Sequence, residues 1–429
     1  MAGEKNYWNE EAETMPLDRQ KRLQEKRLQE LVTHAYERSA FYRRKYDQAG
    51  VKPGDIKTLD DLRKLPVIDD SEMRQTPMEE KLAVPWEEIK HFCSTSGTTA
   101  FPELHAFTKS DFYIGCVDNE CRLKWCAGLR PGDVIQNLLL PFSCQSIIDA
   151  NLGATEIMQH VGRGNLDHQV LLANKAKVTV IEHFPSLVLR YFDRAKELGI
   201  NIKESPLRLV IGAGEGWAES YRKRIEAEYG VIFHQLYGMS EVAEFASECE
   251  YRGGMHILAD TCIVEVVDPE TLEVLGTGEY GEVVVTNFFR KAVPRIRYRT
   301  KDIACLLPYE PCPCGRTLPK LSMIKGRMSQ LINVKDKRFF PVDVEEVLGG
   351  ISDLGNEYQI IRDKPELDRL MVKVEHKPKG KDLRTLANHV EEALYDRLGV
   401  ESKVELVPPG SIGHPLVKAM RVITTYEKT

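Results

Sequence analysis

The 429-residue sequence lacks several features that would assign it to a class at once. It has no run of roughly 18 apolar residues, which a membrane-spanning helix needs. Its first residues, MAGEKNYWNEEAETMP, have no hydrophobic centre like that of a signal peptide. An excess of positive charge is also missing, since 59 Lys and Arg residues stand against 65 Asp and Glu residues. We therefore expect a cytoplasmic protein that binds neither membranes nor nucleic acid.

The sequence contains ten cysteines. A long chain without a secretion signal is expected in a reducing compartment, so buried thiols or metal ligands are favoured over disulfides. Four of the cysteines are predicted to be core residues, namely Cys116, Cys121, Cys126 and Cys144.

The hydrophobic pattern changes along the chain and predicts two domains. The apolar segments AKVTVIEHF and LRLVIGAGE lie near a predicted helix over residues 219–229, which indicates a layered α/β sheet. After Thr261, alternating residues and the turns DPET and GTGEYGE predict antiparallel β-structure. The last hundred or so residues follow the order helix, strand, strand, helix, strand. We predict a large α/β domain with an antiparallel region over residues 1–326, and a small α+β domain over residues 327–429.

The segment STSGTT, residues 94–99, carries five hydroxyl side chains around one glycine. Hydroxyls and backbone N–H groups in such a turn can surround phosphate oxygens, because glycine allows close backbone approach. The Gly-Lys-Ser/Thr ending of a Walker loop is absent. From composition alone, a solvated loop and an anion site both remain open.

Two further segments carry possible ligand-binding side chains. In QLYGMSEVAEF, Tyr237 offers a stacking face, Gly238 and Ser240 form a tight turn, and Glu241 is a possible magnesium ligand. In PRIRYRTKDIA, Asp302 is of the type that binds ribose hydroxyls. An exposed loop acid and a salt-bridged strand, respectively, would give similar patterns.

Several motifs occur together and in a fixed order along nearly the whole chain. They are STSGTT, GAGEGW, YGMSEV, ECEYRGGMHI, VPRIRYRTKD, KGRMSQLI, RFFPVDVEEVL and VKAMRVI. This series closely resembles the adenylate-forming acyl-CoA ligases. The phenylacetate-CoA ligase branch is the best likeness, and it also shares SAFYRRKYDQAGV and LRKLP.

The resemblance implies an enzyme that uses ATP, Mg²⁺ and coenzyme A to convert an aromatic acid to its thioester through an acyl-adenylate. It implies that Ser94, Thr95, Ser96, Gly97, Thr98 and Thr99 hold the ATP phosphates, and that Gly214 and Glu215 of GAGE line the nucleotide pocket. It further implies that Tyr237 lies by the adenine, that Gly238 and Ser240 belong to the nucleotide site, that Glu241 helps to hold magnesium, and that Asp302 binds the ribose. Arg327 would reach the ribose-phosphate side, and Lys418 would contact the carboxylate and α-phosphate.

Two segments depart from the family pattern. The small C-terminal domain of the family is mobile, and its hinge is often an Asp where this chain has Ser329. After the phosphate loop, the family usually has TTGKP or TTGxP, whereas this chain has TTAFPE, with Ala100 and Glu103. We expect the second change either to weaken ATP binding or to reshape the loop.

Two pairs of possible metal ligands occur near the antiparallel region. Cys249 and His256 lie in CEYRGGMH, and Cys312 and Cys314 lie in PCPCGR. Thiolate and imidazole groups suit tetrahedral Zn²⁺ and not Mg²⁺ or Ca²⁺. We predict a structural zinc ion, with free thiols as the alternative.

The acid-binding residues are predicted by resemblance to lie in LLLPFSCQSIIDANLGA and before the YG turn. Phe142, Ile147 and Trp217 would form an apolar slot for an aryl or arylacetic acid, or would be core residues. Phenylacetate or indoleacetate is favoured. The alternatives are a synthetase of the same branch that adenylylates a deazaflavin coenzyme, and a nucleotide-binding homologue without catalysis. Relatives in this branch are commonly homodimers, so a homodimer is expected by likeness.

Overall fold

A computed structural model describes residues 6–94, 103–139, 144–157, 165–377, 382–413 and 420–426. Within these ranges, no helix has both the length and the apolar character needed to cross a membrane. All ten cysteines are described and all are free thiols. Cys121, Cys126 and Cys144 are buried as predicted, whereas Cys116 is half-buried.

The helices and strands of these ranges alternate along most of the chain. The α-helices are α1 (Glu10–Glu13), α2 (Leu17–Arg38), α3 (Ala40–Gln48), α4 (Asp70–Gln75), α5 (Met78–Lys81), α6 (Lys109–Asp111), α7 (Asn119–Ala127), α8 (Gln145–Asn151), α9 (Leu166–Ala176), α10 (Pro185–Glu197), α11 (Glu219–Tyr229), α12 (Pro341–Gly349) and α13 (Leu383–Leu398). The strands are β1 (Ile89–Ser94), β2 (Leu104–Thr108), β3 (Val134–Asn137), β4 (Thr155–Glu156), β5 (Val180–His183), β6 (Leu209–Gly212), β7 (Ile232–Met239), β8 (Ala243–Ser247), β9 (Met255–Ile257), β10 (Cys262–Val267), β11 (Gly281–Asn287), β12 (Arg295–Ala304), β13 (Lys320–Leu321), β14 (Gly326–Arg327), β15 (Ile332–Val334), β16 (Lys337–Phe339), β17 (Leu354–Arg362), β18 (Leu370–His376), β19 (Ser402–Val407) and β20 (Val422–Thr424).

The chain divides into two compact units. The first consists of Met1–Asp133, Pro141–Thr155 and His234–Met323. It contains the hairpin β1–β2, the antiparallel order β10-β11-β12 and the antiparallel order β13-β9-β8-β7. Strand β11 is buried along its whole length, as expected for the middle strand of a covered sheet. The antiparallel structure predicted after Thr261 is confirmed.

The second unit consists of Val134–Leu140, Glu156–Phe233 and Ile324–Thr429. Its strands β3, β5 and β6 pair in parallel, and helices α9 and α10 connect them. Every residue of β5 and β6 is buried, because a parallel sheet covered on both faces leaves no strand position for solvent. A mixed sheet of order β19-β18-β17-β20 follows, with α12 and α13 against its buried core. The predicted order of elements after residue 340 is confirmed.

Helices α2 and α3 follow each other directly but are separate. Ser39 lies between α2 and α3 with an extended backbone, and its side chain accepts a hydrogen bond from the N–H of Tyr42 at 3.5 Å. A serine at this position stabilises the start of the second helix. The inner face of α2 includes Leu28, Leu31 and Val32, which are all buried.

Candidate active site

The end of β7 brings two of the predicted nucleotide residues together in the first unit. Tyr237 is 6% exposed and Asp302, on β12, is 7% exposed. The Tyr237 hydroxyl donates to Asp302 Oδ2 at 3.0 Å and lies 3.4 Å from Thr300 Oγ1. The ring of Phe245 packs edge-on against Tyr237, with 5.0 Å between the centroids. The tyrosine is therefore held in one orientation with its hydroxyl on the carboxylate.

Gly238 is required by the way β7 and β8 approach each other. The pairing register shifts between Tyr237 and Gly238, and a Cβ at this glycine would collide with the backbone of Glu244. Across the turn, Ala243 has φ +57°, which is unusual for a residue with a side chain. This tight turn carries Ser240, which is half-buried, and Glu241, which is 8% exposed.

Glu241 lies in a buried polar group that sequence reasoning did not assemble. One ligand atom each from Glu241, Glu103 and His105 lie within 4.8 Å of one another. Arg295 connects the group, because its Nη2 donates to Glu103 Oε1 and to His105 Nδ1, both at 3.0 Å. Glu103 was noted only as a departure from the family pattern, and His105 was not predicted. The pattern ELHAFT contains the signal, since it places Glu103 directly before a largely apolar strand and His105 on that strand.

The other arginines of PRIRYRTKDIA form the salt bridges that the alternative interpretation expected. Arg297 pairs with Glu265 at 3.0 Å, and Arg299 pairs with Glu282 at 2.6 Å. Asp302, in contrast, contacts Tyr237. The segment is therefore a salt-bridged strand that also carries the candidate ribose-binding carboxylate.

The four predicted zinc ligands lie together in the first unit. Their sulfur and nitrogen atoms all lie within 4.8 Å of one another. Cys249 Sγ is 3.7 Å from Cys312 Sγ, and Cys314 Sγ is 3.4 Å from His256 Nε2. The pKa of the Cys314 thiol is lowered, chiefly by its hydrogen bond with Cys249 and also by His256. A fifth cysteine, Cys126, packs against this group in the core.

The segment 312–316, which carries two of the predicted zinc ligands, contacts residues near the N-terminus. The Tyr7 hydroxyl donates to the carbonyl of Cys314 at 3.1 Å, and Arg316 forms a buried ion pair with Glu13 at 2.8 Å. Gly315 has φ +82°, and a Cβ there would collide with the Tyr7 hydroxyl. The conformation of the segment 312–316 therefore controls the packing of the N-terminus.

In the second unit, the segment GAGEGW follows β6. Gly214 has φ +77°, and Glu215 Oε2 accepts hydrogen bonds from the Ser186 hydroxyl at 2.7 Å and from its N–H at 3.1 Å. Because Ser186 lies in the first turn of α10, Glu215 stabilises that helix start. Trp217 is 6% exposed and packs on Phe233, with 3.3 Å between the ring centroids.

The remaining predicted site residues have the following local contacts and exposure. Arg327 is exposed, and its N–H donates to Gln330 Oε1 at 3.0 Å. Ser329 lies in the following turn, and its carbonyl accepts from Arg362 Nη1 at 3.4 Å. Ile147 is 39% exposed on α8, and Ser94 is the exposed last residue of β1. Seven predicted residues lie outside the described ranges: Thr95, Ser96, Gly97, Thr98, Thr99, Phe142 and Lys418.

Residues 12–288 match the family model described as AMP-binding enzyme, and residues 337–425 match the one described as AMP-binding enzyme C-terminal domain. The chain belongs to the AMP-binding enzyme family. The predicted family is therefore confirmed.

Individual relatives agree with this assignment. The chain is 32% identical to the phenylacetate-coenzyme A ligase of Thermus thermophilus, covering 93% of this chain and 95% of the relative. It is 31% identical to the enzyme of the same name from Escherichia coli, covering 96% of each. A solved 2-hydroxyisobutyryl-CoA ligase in the postadenylation state, bound to R3-HIB-AMP, superposes with a TM-score of 0.91 at 26% identity, covering 99% of this chain and 93% of that one. The predicted α/β fold class is confirmed, and the relatives' names agree with the predicted AMP-forming ligase activity.

Proposed function

We propose that this member of the AMP-binding enzyme family is an ATP-dependent acid:CoA ligase for an aromatic carboxylic acid of the phenylacetate or indoleacetate type. In the first half-reaction the acid carboxylate attacks the α-phosphorus of ATP, which gives the acyl-adenylate and releases pyrophosphate. In the second, the thiol of coenzyme A attacks the acyl carbonyl and AMP leaves. No protein nucleophile is needed in either step.

The observation that carries the proposal is the buried pair Tyr237 and Asp302 in a chain that aligns over nearly its full length with phenylacetate-CoA ligases. A carboxylate accepts hydrogen bonds from two vicinal hydroxyls more strongly than a neutral group does. The Tyr237 hydroxyl fixes the orientation of that carboxylate. These features support a nucleotide site at the end of β7, with Asp302 on the ribose and Tyr237 by the adenine.

The first half-reaction brings two anions together, so it depends on positive charge around the transition state. We assign Lys418 and Arg327 to this role, and Ser94 with the hydroxyls of Thr95–Thr99 to the β- and γ-phosphates. Magnesium, when bound, would supply further charge neutralisation on the phosphates. Glu241 would hold it, and Glu103 lies close enough to Glu241 to influence that site.

The acid itself is assigned by likeness to the curated relatives, both of which are named phenylacetate-coenzyme A ligase. Ile147 is partly exposed and Trp217 has an apolar, largely buried ring. Both side chains are compatible with an apolar acid pocket. One methylene group, which is the difference between benzoate and phenylacetate, changes binding by only about 1–3 kcal/mol, so a panel of aromatic acids is needed to identify the substrate.

Pyrophosphate release tests the proposal with benzoate, phenylacetate and indoleacetate, each with and without coenzyme A. The expected result is acid-dependent release together with coenzyme A thioester formation. Release without thioester would favour the deazaflavin-type alternative. If none of the acids causes release, the ligase function is wrong and a non-catalytic nucleotide-binding protein is favoured.

We also propose a structural zinc ion bound by Cys249, His256, Cys312 and Cys314. Zinc bonds of about 2.3 Å to sulfur and about 2.0 Å to nitrogen in a tetrahedron give S···S separations of about 3.8 Å and S···N separations of about 3.5 Å. The observed separations of 3.7 Å and 3.4 Å agree with both values. These two separations support a tetrahedral zinc site, and all four ligand atoms lie within 4.8 Å of one another. Its role would be to hold the segment that packs on Tyr7 and Glu13.

The remaining assignments concern organisation. We propose a large domain of residues 1–326 and a mobile C-terminal domain of residues 327–429, with the hinge at Ser329. Only a backbone rotation is required at a hinge, which a serine can provide. We further propose a homodimer in the cytoplasm, and light scattering after size-exclusion chromatography tests the dimer directly.

A further inference from the structure

The hairpin β1–β2 presents one face made of four alternating side chains. His91 pairs with Phe107 and Cys93 pairs with His105 in the antiparallel register. Residues directly opposite each other in such a pair point to the same side, and so do residues two apart on one strand. His91, Cys93, His105 and Phe107 therefore share a face, which we call the hairpin face.

Arg290 covers the hairpin face. Its guanidinium carbon lies 4.0 Å from the centroid of the Phe107 ring, and the residue is 0% exposed. Among the described residues, no group accepts a hydrogen bond from its Nε, Nη1 or Nη2. A guanidinium carries five N–H donors in a fixed plane, and buried donors are nearly always satisfied. The stacking on Phe107 offsets only part of the cost of burying this charged group, because it satisfies none of the five N–H donors.

Two neighbouring side chains, Arg295 and His105, add further buried N–H donors without an acceptor among the described residues. Arg295 is also 0% exposed, and it donates through Nη2 to Glu103 and to His105 Nδ1. Because His105 Nδ1 accepts, the imidazole proton lies on Nε2. Burial and the charges of Arg295 and Arg290 keep the pKa of His105 well below its usual value, so the ring is neutral. Within the described part of the chain, neither His105 Nε2 nor Arg295 Nη1 has a hydrogen-bond partner.

We propose that Arg290, with Arg295 and His105, forms an oxyanion-binding subsite on the hairpin face. The oxyanion is either the triphosphate of ATP or the carboxylate of the acid, and the assignment of these two reactants rests on the proposed function. Guanidinium groups bind phosphate and carboxylate through two parallel hydrogen bonds, and the Phe107 ring fixes the plane of Arg290 for that geometry. Neither the sequence motifs nor the family resemblance assigned a role to any of these three residues.

Substitution of Arg290 separates a binding role from a structural one. The variant Arg290→Met removes a buried charge that has no protein partner and keeps an unbranched side chain over Phe107. We expect the melting temperature of the ligand-free protein to stay equal or to rise. Titration calorimetry then measures binding of sodium triphosphate and, separately, of phenylacetate and indoleacetate. Binding of one class should weaken on the order of 10- to 100-fold, with partial recovery in Arg290→Lys.

Arg299→Met is the matched control, because this arginine pairs with Glu282 and lies away from the hairpin face. It should lower the melting temperature and leave both affinities unchanged. In Arg290→Met, loss of triphosphate affinity assigns the subsite to ATP, and loss of acid affinity assigns it to the carboxylate. If both affinities are unchanged, or if Arg290→Met fails to fold, Arg290 is structural and the proposal is overturned.

The same variants distinguish this inference from the ligase function. If the wild-type protein releases pyrophosphate and Arg290→Met has the same KM values as wild type, the subsite proposal alone is overturned. Wild-type protein that releases none with any acid would overturn the ligase function. The triphosphate titration would still decide whether the oxyanion subsite exists.

Discussion

The Tyr237 hydroxyl donates a hydrogen bond to Asp302 Oδ2 at 3.0 Å, and both side chains are buried. The two residues lie on different strands, so their contact fixes the end of β7 against β12. A carboxylate held in this way is oriented before a ligand arrives, which reduces the ordering cost of binding.

This contact predicts different effects for two substitutions. Asp302→Asn keeps the shape but removes the charge that strengthens hydrogen bonds to hydroxyls, so the KM for ATP should rise on the order of 10- to 100-fold. Tyr237→Phe removes only the hydrogen bond that orients Asp302. The KM for ATP should therefore increase in this variant too, but by a factor several-fold smaller than in Asp302→Asn. Pyrophosphate release measured against ATP concentration gives both values. An unchanged KM in Asp302→Asn would exclude this carboxylate from the nucleotide site.

The zinc proposal predicts about one zinc ion per chain by elemental analysis of the native protein. Cys312→Ser should lose the ion and melt at a lower temperature, because the segment that holds Tyr7 and Arg316 loses its support. Cys262→Ser is the matched control, since Cys262 is equally a buried thiol but lies outside the ligand group. It should keep its zinc. Native protein without metal would establish the alternative of three free thiols beside His256.

Residue type and order were enough to single out Tyr237, Asp302 and the four proposed zinc ligands, which the structure brings together, because each belongs to a local motif. Arg290 was not predictable in this way, because nothing near it in the sequence indicates that its charged side chain will be buried against Phe107. The contact between Arg295 and His105 joins residues 190 positions apart, although the segment ELHAFT marks His105 as a polar residue on a largely apolar strand. For Glu215, the motif and the observed contact indicate different roles. Its motif implies a nucleotide pocket, whereas its observed contact is with Ser186 at the start of α10.

The position of Glu103 predicts that removing its charge will strengthen ATP binding. It is buried beside Glu241, so its negative charge opposes the approach of phosphate oxygens to that region. Replacement by Gln keeps the size and one hydrogen-bond acceptor for Arg295 but removes the charge. We expect tighter ATP binding in Glu103→Gln. Glu103→Ala should instead lower the melting temperature, because it leaves Arg295 without its buried counter-charge.

Calorimetric titration of ATP into both variants measures the effect. Glu375→Gln is a suitable control, since Glu375 is also largely buried but lies on β18. Weaker ATP binding in Glu103→Gln would mean that this carboxylate helps to hold magnesium together with Glu241.

Lys418 predicts a difference between the two half-reactions. If it stabilises the charge that develops during adenylation, Lys418→Ala should slow pyrophosphate release on the order of 100- to 1,000-fold. Thioester formation from a supplied acyl-adenylate does not require that charge and should change much less. Arg397→Ala, at an exposed position on α13, is the control and should leave both rates unchanged. Equal losses in both half-reactions would contradict the assigned role.

Glu120 predicts a pH dependence of stability. It is buried on α7, where Gln145 donates to it at 3.1 Å and Lys124 lies 3.6 Å away. Burial, followed by the charge of Glu244, raises the pKa of Glu120 to about 7, while Lys124 opposes the shift. Asp149, which pairs with Lys124 at 3.2 Å, adds further negative charge. The folded protein therefore holds a proton on Glu120 at pH values where the unfolded chain has lost it.

The sign of the effect follows from this difference. Below the ordinary pKa of 4.5 both states are protonated. As the pH rises from 4.5 to about 7, Glu120 ionises in the unfolded chain but stays protonated in the folded protein. Ionisation stabilises only the unfolded state, so the free energy of unfolding decreases by at most about 3 kcal/mol. Above pH 7 the dependence ends.

Glu120→Gln should remove this slope, so that the variant gains stability relative to wild type as the pH rises. Urea denaturation between pH 4.5 and 7.5 measures the difference, and the exposed substitution Glu37→Gln should show none. A parallel pH dependence in wild type and Glu120→Gln would mean that Glu120 is already ionised in the folded protein at low pH, with Lys124 dominating over burial.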